Sequence, residues 1–132
     1  MTPLPLRNLD YVVLLCRDLA PMRRFYHELL GLPVYRDWPG WLELQVGSSL
    51  LTLRLRGRPY DGAPASGSAG LQLAFRVTPD DLDAWHTRLV AQGLEVLEGP
   101  ADRGTGHRAV FYRDPEANIV ELYADVAVQG AG

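Results

Sequence analysis

At 132 residues the chain is sized for one well-packed domain and is too short for two ordinary ones. Hydrophobic residues make up 47% and charged residues 22%, a balance that excludes a disordered chain, and a formal charge of −3 argues against a nucleic-acid or anionic-membrane partner. No apolar run approaches the roughly 18 residues of a membrane span. The opening MTPLPLRNLDYVVLLC lacks the basic, apolar and cleavage segments of an export signal, and the lone Cys16 rules out an internal disulfide, so a reducing cytoplasm is expected.

Residues 9–16 (LDYVVLLC) predict a strand, followed by a helix over about 20–30. Met22, Phe25 and Leu29 form its apolar stripe, with Asp18 as N-cap and Gly31 as the stop. Strands are expected at 32–36, 41–46 and 49–56, and the Gly/Pro/Ser/Ala-rich 57–70 reads as a linker. The pattern then restarts. LQLAFRV at 71–77 is a strand and 78–93 a helix, with Thr78 at the cap, Pro79 at its first position and Leu82, Trp85 and Leu89 repeating the stripe. Strands at 94–98, 107–112 and 118–125 complete it, leaving a tail at 127–132. Tyr11 to Gln72 is a shift of 61 and Gly31 to Gly93 a shift of 62. The economical reading is an α+β domain of two tandem βαβββ modules, 7–56 and 71–126.

Strand parity sorts the side chains. Leu71, Leu73, Phe75 and Val77 oppose Gln72, Ala74 and Arg76, while Leu51, Leu53 and Leu55 oppose Thr52, Arg54 and Arg56. The apolar faces should pack on the helices. The opposite face collects Tyr11, Thr52, Arg54, Gln72, Arg76 and Glu121, and suits a wet or ligand-bearing surface. Glu121 stands out, because it sits in the apolar strand NIVELYAD and a buried carboxylate needs a partner.

LDYVVLLCRDL, FYHELLGLPV, the restart at LQLAFRV and FYRDPEANIVELYAD, in this order and spacing, resemble the vicinal oxygen chelate family. That family contains glyoxalase I, extradiol dioxygenases, fosfomycin-resistance enzymes and bleomycin-resistance proteins. The resemblance covers about residues 7–126 and implies paired modules curled into an open cup of mixed sheet with helices outside. It further implies a homodimer and, in the enzymes, a divalent metal on the cup floor. Carried over residue by residue, the ligand positions are Tyr11, Thr52, Gln72 and Glu121. Tyr11 and Gln72 stand where many family enzymes have His, and Thr52 where they offer a carboxylate, His or Gln. Two His and a carboxylate make a usual catalytic set, whereas a phenol, a hydroxyl and an amide are poor donors. No metal and no cofactor are therefore expected. Ala117 replaces the family's usual Gly, so it or Asn118 must carry a strained turn.

Without a metal, Glu121 is expected to meet Arg54 or Arg76 as an ion pair, or a ligand directly. Trp41, sharing parity with Glu43 and Gln45, is placed to stack on a planar ligand or to cover a sheet edge. Arg108, Val110 and Tyr112 are assigned to the cup side, with Ala109 and Phe111 toward the helix; Arg108 and Tyr112 would receive an anionic or phenolic group. His27 and His86 are read as helix-surface residues, His107 as the histidine that reaches a pocket mouth, and Cys16 as inert packing. No phosphate loop or nucleophile elbow is present. The expected function is binding or sequestering a small organic molecule. A metal-dependent lyase or dioxygenase with atypical ligands and a regulatory interaction module stand as alternatives.

Overall fold

A computed structural model describes residues 4–63 and 70–127. Part of the expected linker, at 64–69, and nearly all of the tail, at 128–132, lie outside the described residues. The chain divides into two compact units, Met1–Ala63 and Pro64–Gly132.

The first unit runs β1 (Tyr11–Cys16), α1 (Leu19–Arg23), a π-helical stretch (Arg24–Leu29), β2 (Val34–Trp38), β3 (Trp41–Val46) and β4 (Ser49–Leu55). Its sheet order is β1-β4-β3-β2, with β1 parallel to β4 and the remaining pairs antiparallel. The single helix expected over 20–30 is instead a short α turn that widens. Asp18 caps it through the amide of Ala20, and Leu30 N–H then donates to Phe25 C=O, five residues back. The wider turn lets two consecutive aromatics, Phe25 and Tyr26, face inward beside Met22, their rings meeting edge-on at 4.8 Å. A regular helix would rotate one of them outward. Leu14, Cys16, Leu42, Leu44, Leu51 and Leu53 complete this core.

The first residues of the expected linker are firmly tied. Asp61 accepts two bonds from the Arg54 guanidinium, at 2.7 and 3.0 Å, and the amides of Gly57 and Arg58. The guanidinium, with the two amides, holds the Asp61 carboxyl well below the usual carboxylate range.

The second unit repeats the plan as β5 (Gln72–Arg76), α2 (Pro79–Ala91), β6 (Val96–Asp102), β7 (His107–Arg113) and β8 (Ile119–Asp125), in sheet order β5-β8-β7-β6. Thr78 caps α2 through the amide of Asp81, with Pro79 at its first position. Leu82 and Leu89 bury its inner stripe against the sheet, over Val110, Tyr112, Val120, Leu122 and Ala124. Together the units are two four-stranded mixed sheets with few helices, an α+β fold.

Strand β7 is turned over relative to the parity expected for it. Tyr112 is fully buried with its hydroxyl 2.8 Å from Nδ1 of His86 on α2, and Arg108 pairs with Asp83 of α2 and with Asp102. Arg108, Val110 and Tyr112 therefore face the helix, while Phe111 shares the face of Glu121. The expected roles of Arg108 and Tyr112 beside a ligand are corrected to polar ties between helix and sheet. The apolar pattern of HRAVFYRD could not decide the matter, because both of its faces carry apolar residues. The turn decides it instead. Asp114 accepts from the amides of Glu116 and Asn118 and from the Asn118 side chain, which sets Arg113 opposite Ile119 and thus Phe111 opposite Glu121.

Ala117 takes φ 69° in this turn, as the missing glycine foretold. A left-handed alanine costs about 1–2 kcal/mol and a glycine about 0.5–1 kcal/mol in unfolded-chain entropy. Ala117→Gly should therefore raise the unfolding free energy in urea by up to about 1 kcal/mol. A loss of stability would show that the turn is not strained. Burial raises the Tyr112 phenol to about 12, against about 10 in an unfolded chain. A raised value stabilises the fold fully below pH ~10, and that contribution fades as pH rises toward ~12. Urea denaturation across this window should show a shallower alkaline decline for Tyr112→Phe than for the parent; parallel curves would contradict the burial effect.

Candidate functional site

The surface opposite α2 in the second unit is built from three strands. Gln72 and Ala74 on β5, Ile119 and Glu121 on β8, and Phe111 and Arg113 on β7 share one face by register. Glu121 sits across from Ala74 on one side and Phe111 on the other. Its carboxylate accepts a hydrogen bond from the Gln72 amide at 3.0 Å. The ion pair with Arg54 or Arg76 expected for it is not formed: Arg54 is spent on Asp61, and Arg76 binds Asp125. Glu121 thus answers to a neutral group.

A concavity of about 630 Å³ opens over this face, lined by Gln72, Glu121, Phe111, Ile119, His107 and Arg113, with Leu97, Glu98, Arg103 and Thr105 closing one side. Its cations are mostly spoken for. Arg103 pairs with Glu98 at 2.6 Å while lying over the Phe111 ring at 5.3 Å, and Arg113 donates to the carbonyl of Ala117 at 2.9 Å. His107 lies 3.4 Å from Asp125 and stacks near Tyr123 at 5.0 Å. Arg76 covers the same Tyr123 ring and shares Asp125, so Arg76 and His107 are joined at the rim by one carboxylate.

The shape of the wall depends on one glycine. Register shifts around Glu98 and Ala101 bend β6, and at Gly99 (φ 83°) an added Cβ would lie 2.4 Å from the carbonyl oxygen of Ala109. Only a residue without a side chain allows this approach.

On the corresponding face of the first unit, Tyr11 meets Trp41 edge-on at 6.3 Å, and the Trp41 indole N–H donates to Glu43 at 2.9 Å. Thr52, directly opposite Glu43 across β3 and β4, is 0% exposed, and its hydroxyl has no hydrogen-bond partner among the described residues.

Parity thus placed Tyr11, Trp41, Thr52 and Arg54 on one face of the first unit, and Gln72, Arg76 and Glu121 on one face of the second. It also set Glu43 beside Trp41, as found, and missed Phe111, Arg103, Arg113 and Glu98. For Phe111 and Arg113 a signal was present, since the short turn at 114–118 fixes their register against β8. Nothing local marks Arg103 or Glu98, which enter through the bend of β6. Among the described residues no three His, Cys, Asp or Glu side chains gather closely enough to hold a metal ion, and no helix is long and apolar enough to cross a membrane.

Comparison with known proteins gives consistent relatives. The glyoxalase domain-containing protein RDO1 of Mycosarcoma maydis is 30% identical over 123 residues, covering 90% of this chain and 69% of that protein. The glutathione transferase FosA of Serratia marcescens is 27% identical over 119 residues, covering 89% and 81%. The crystal structure of lactoylglutathione lyase from Agrobacterium tumefaciens superposes with a TM-score of 0.70 at 25% identity, covering 91% of this chain and 95% of that one. The family model for the Glyoxalase/Bleomycin resistance protein/Dioxygenase superfamily matches residues 8–122, and the chain belongs to that superfamily.

Proposed function

We propose that this protein binds a small polar organic molecule at the Glu121 face of its second module, without a catalytic metal. The observation that carries the reading is the pairing of Glu121. In a polar concavity whose arginines already have partners, its carboxylate is met by an amide and retains acceptor capacity for a ligand N–H or O–H. Phe111, paired with Glu121 across the strands, offers an apolar ring on which a flat or aliphatic part of the ligand can rest. Gln72 orients the carboxylate rather than neutralising it.

Metal chemistry fits this donor set badly. The superfamily positions supply one carboxylate (Glu121), one amide (Gln72), one hydroxyl (Thr52) and one phenol (Tyr11), with no imidazole. A hard divalent ion held by one charged donor is bound weakly, and the degenerate site reads as a polar floor for an organic guest.

One observation favours a second reading. Glu121 keeps the family's carboxylate position, and relatives are named for lyase and transferase activities. Under that reading the chain is a metal-dependent enzyme with atypical ligands.

Both are tested on protein purified without chelator. Thermal-shift screening with small amines, aromatic acids and glutathione conjugates should return a ligand, and Glu121→Gln should reduce its affinity about 10-fold or more, the scale of a lost charge-assisted hydrogen bond. Elemental analysis should find substoichiometric metal. A full equivalent of zinc, nickel, manganese or iron, lost on Glu121→Gln, would overturn the metal-free reading and establish the enzyme.

A further inference from the structure

On the first module a second constellation lies outside that reading. Glu43 is 8% exposed, and both of its polar contacts fall on one carboxylate oxygen: the Trp41 indole N–H at 2.9 Å and the Arg36 guanidinium at 3.8 Å. Its other oxygen has no hydrogen-bond or ion-pair partner among the described residues. Thr52, its cross-strand neighbour, is completely buried with an unanswered hydroxyl. A buried hydroxyl without a partner thus stands beside a carboxylate oxygen left open to a donor from outside the protein.

Arg36 is a poor answer to them. At 3.8 Å it is beyond hydrogen-bond range of Glu43, and its guanidinium lies over the Trp38 ring at 4.8 Å. It projects from β2, a strand whose every residue is exposed and whose pairing with β3 slips between Val34 and Arg36. Trp38 itself is 55% exposed, an unusual position for an indole. The side chain that covers the carboxylate is therefore held by two exposed ring faces, Trp38 and Tyr35 (5.4 Å), and one long ion pair, at a sheet edge, and can swing away at modest cost.

We propose that Trp38, Trp41 and Glu43 form a recognition site for an organic guanidinium or primary ammonium group, and that Arg36 is its displaceable internal occupant. The guest's charge faces the Trp38 ring and the Glu43 carboxylate, as that of Arg36 does now. Its N–H groups supply the donors that the free Glu43 oxygen lacks. That requirement separates N–H-bearing cations from quaternary ammonium ions, which satisfy the ring but not that oxygen.

Agmatine is the probe, with tetramethylammonium as the control of equal charge sign, and binding is read from the indole N–H resonance of Trp41 in a proton–nitrogen correlation spectrum. Removing the occupant in Arg36→Ala should tighten agmatine binding about 5–10-fold, the scale of the long ion pair and the exposed cation–π contacts that Arg36 gives up. Glu43→Gln should weaken it at least 10-fold in either background, and tetramethylammonium should leave the resonance in place. Trp85, in the other module, supplies an internal reference within each spectrum. Weaker or unchanged binding in Arg36→Ala would overturn the displacement. Failure of agmatine to move the Trp41 resonance in both the parent and Arg36→Ala would overturn the site, and so would binding that survives Glu43→Gln. None of these outcomes depends on whether the Glu121 face takes a ligand.

Discussion

Asp114 accepts three hydrogen bonds from the turn that joins β7 to β8, and the Glu121 face of the second module is registered from that turn. A strand shifted by one residue presents its other side. Had the turn been one residue longer, Tyr112 and Arg108 would line the concavity and Phe111 would be pressed on α2. The buried carboxylate of Asp114 prevents this by pinning both Asn118 groups to one geometry, with Ala117 forced left-handed between them. The strain at Ala117 accompanies a defined register, and the register brings an aromatic ring and an amide to either side of Glu121.

Charge is distributed so that the arginines largely answer one another's acids. Arg54 is closed by Asp61, Arg103 by Glu98, Arg76 by Asp125 and Arg108 by Asp83 and Asp102. Most of these pairs sit at the surface, where each contributes little to stability. Their larger effect is on recognition. Arginines that look free in the sequence are paired in the fold, and beside Glu121 what remains is a carboxylate with an amide for company. An anionic ligand gains little there; a hydrogen-bond donor gains more.

How much of this could be read from residues alone follows from which constraints are local. The repeat was legible because capping residues, helix stripes and stops recur at a nearly fixed shift, and each is set by its own neighbours: Thr78 and Pro79 begin α2 by themselves. Parity worked for β1, β4 and β5, where one face is far more apolar than the other. It failed on β7, where Ala109 and Val110 are both buried and hydrophobicity carries no sign. The π-helical widening after Arg23 was also out of reach, since it is driven by the need to bury Phe25 and Tyr26 together. The partner of Glu121 could not be read because Arg54 had a nearer acid in Asp61, inside a stretch whose composition suggested only a linker. Whether a long arginine reaches across a sheet or back to its own loop is a question of geometry rather than of composition.

The topological match between the modules sharpens what their differences mean. Val13 lies beside Thr52 as Ala74 lies beside Glu121, and Glu43 opposes Thr52 as Phe111 opposes Glu121. The acid at this central position is therefore kept only in the second module, on β8 beside a phenyl ring, while the first carries its acid on β3 beside a hydroxyl. The two last strands differ at this position, β4 carrying Thr52 where β8 carries Glu121. With a hydroxyl in place of the acid, the first module's negative charge stands one strand over and is flanked by Trp38 and Trp41 instead of by an amide. Indoles and a carboxylate select large, weakly hydrated organic cations over small, strongly hydrated metal ions, because ring faces repay little of a metal ion's hydration.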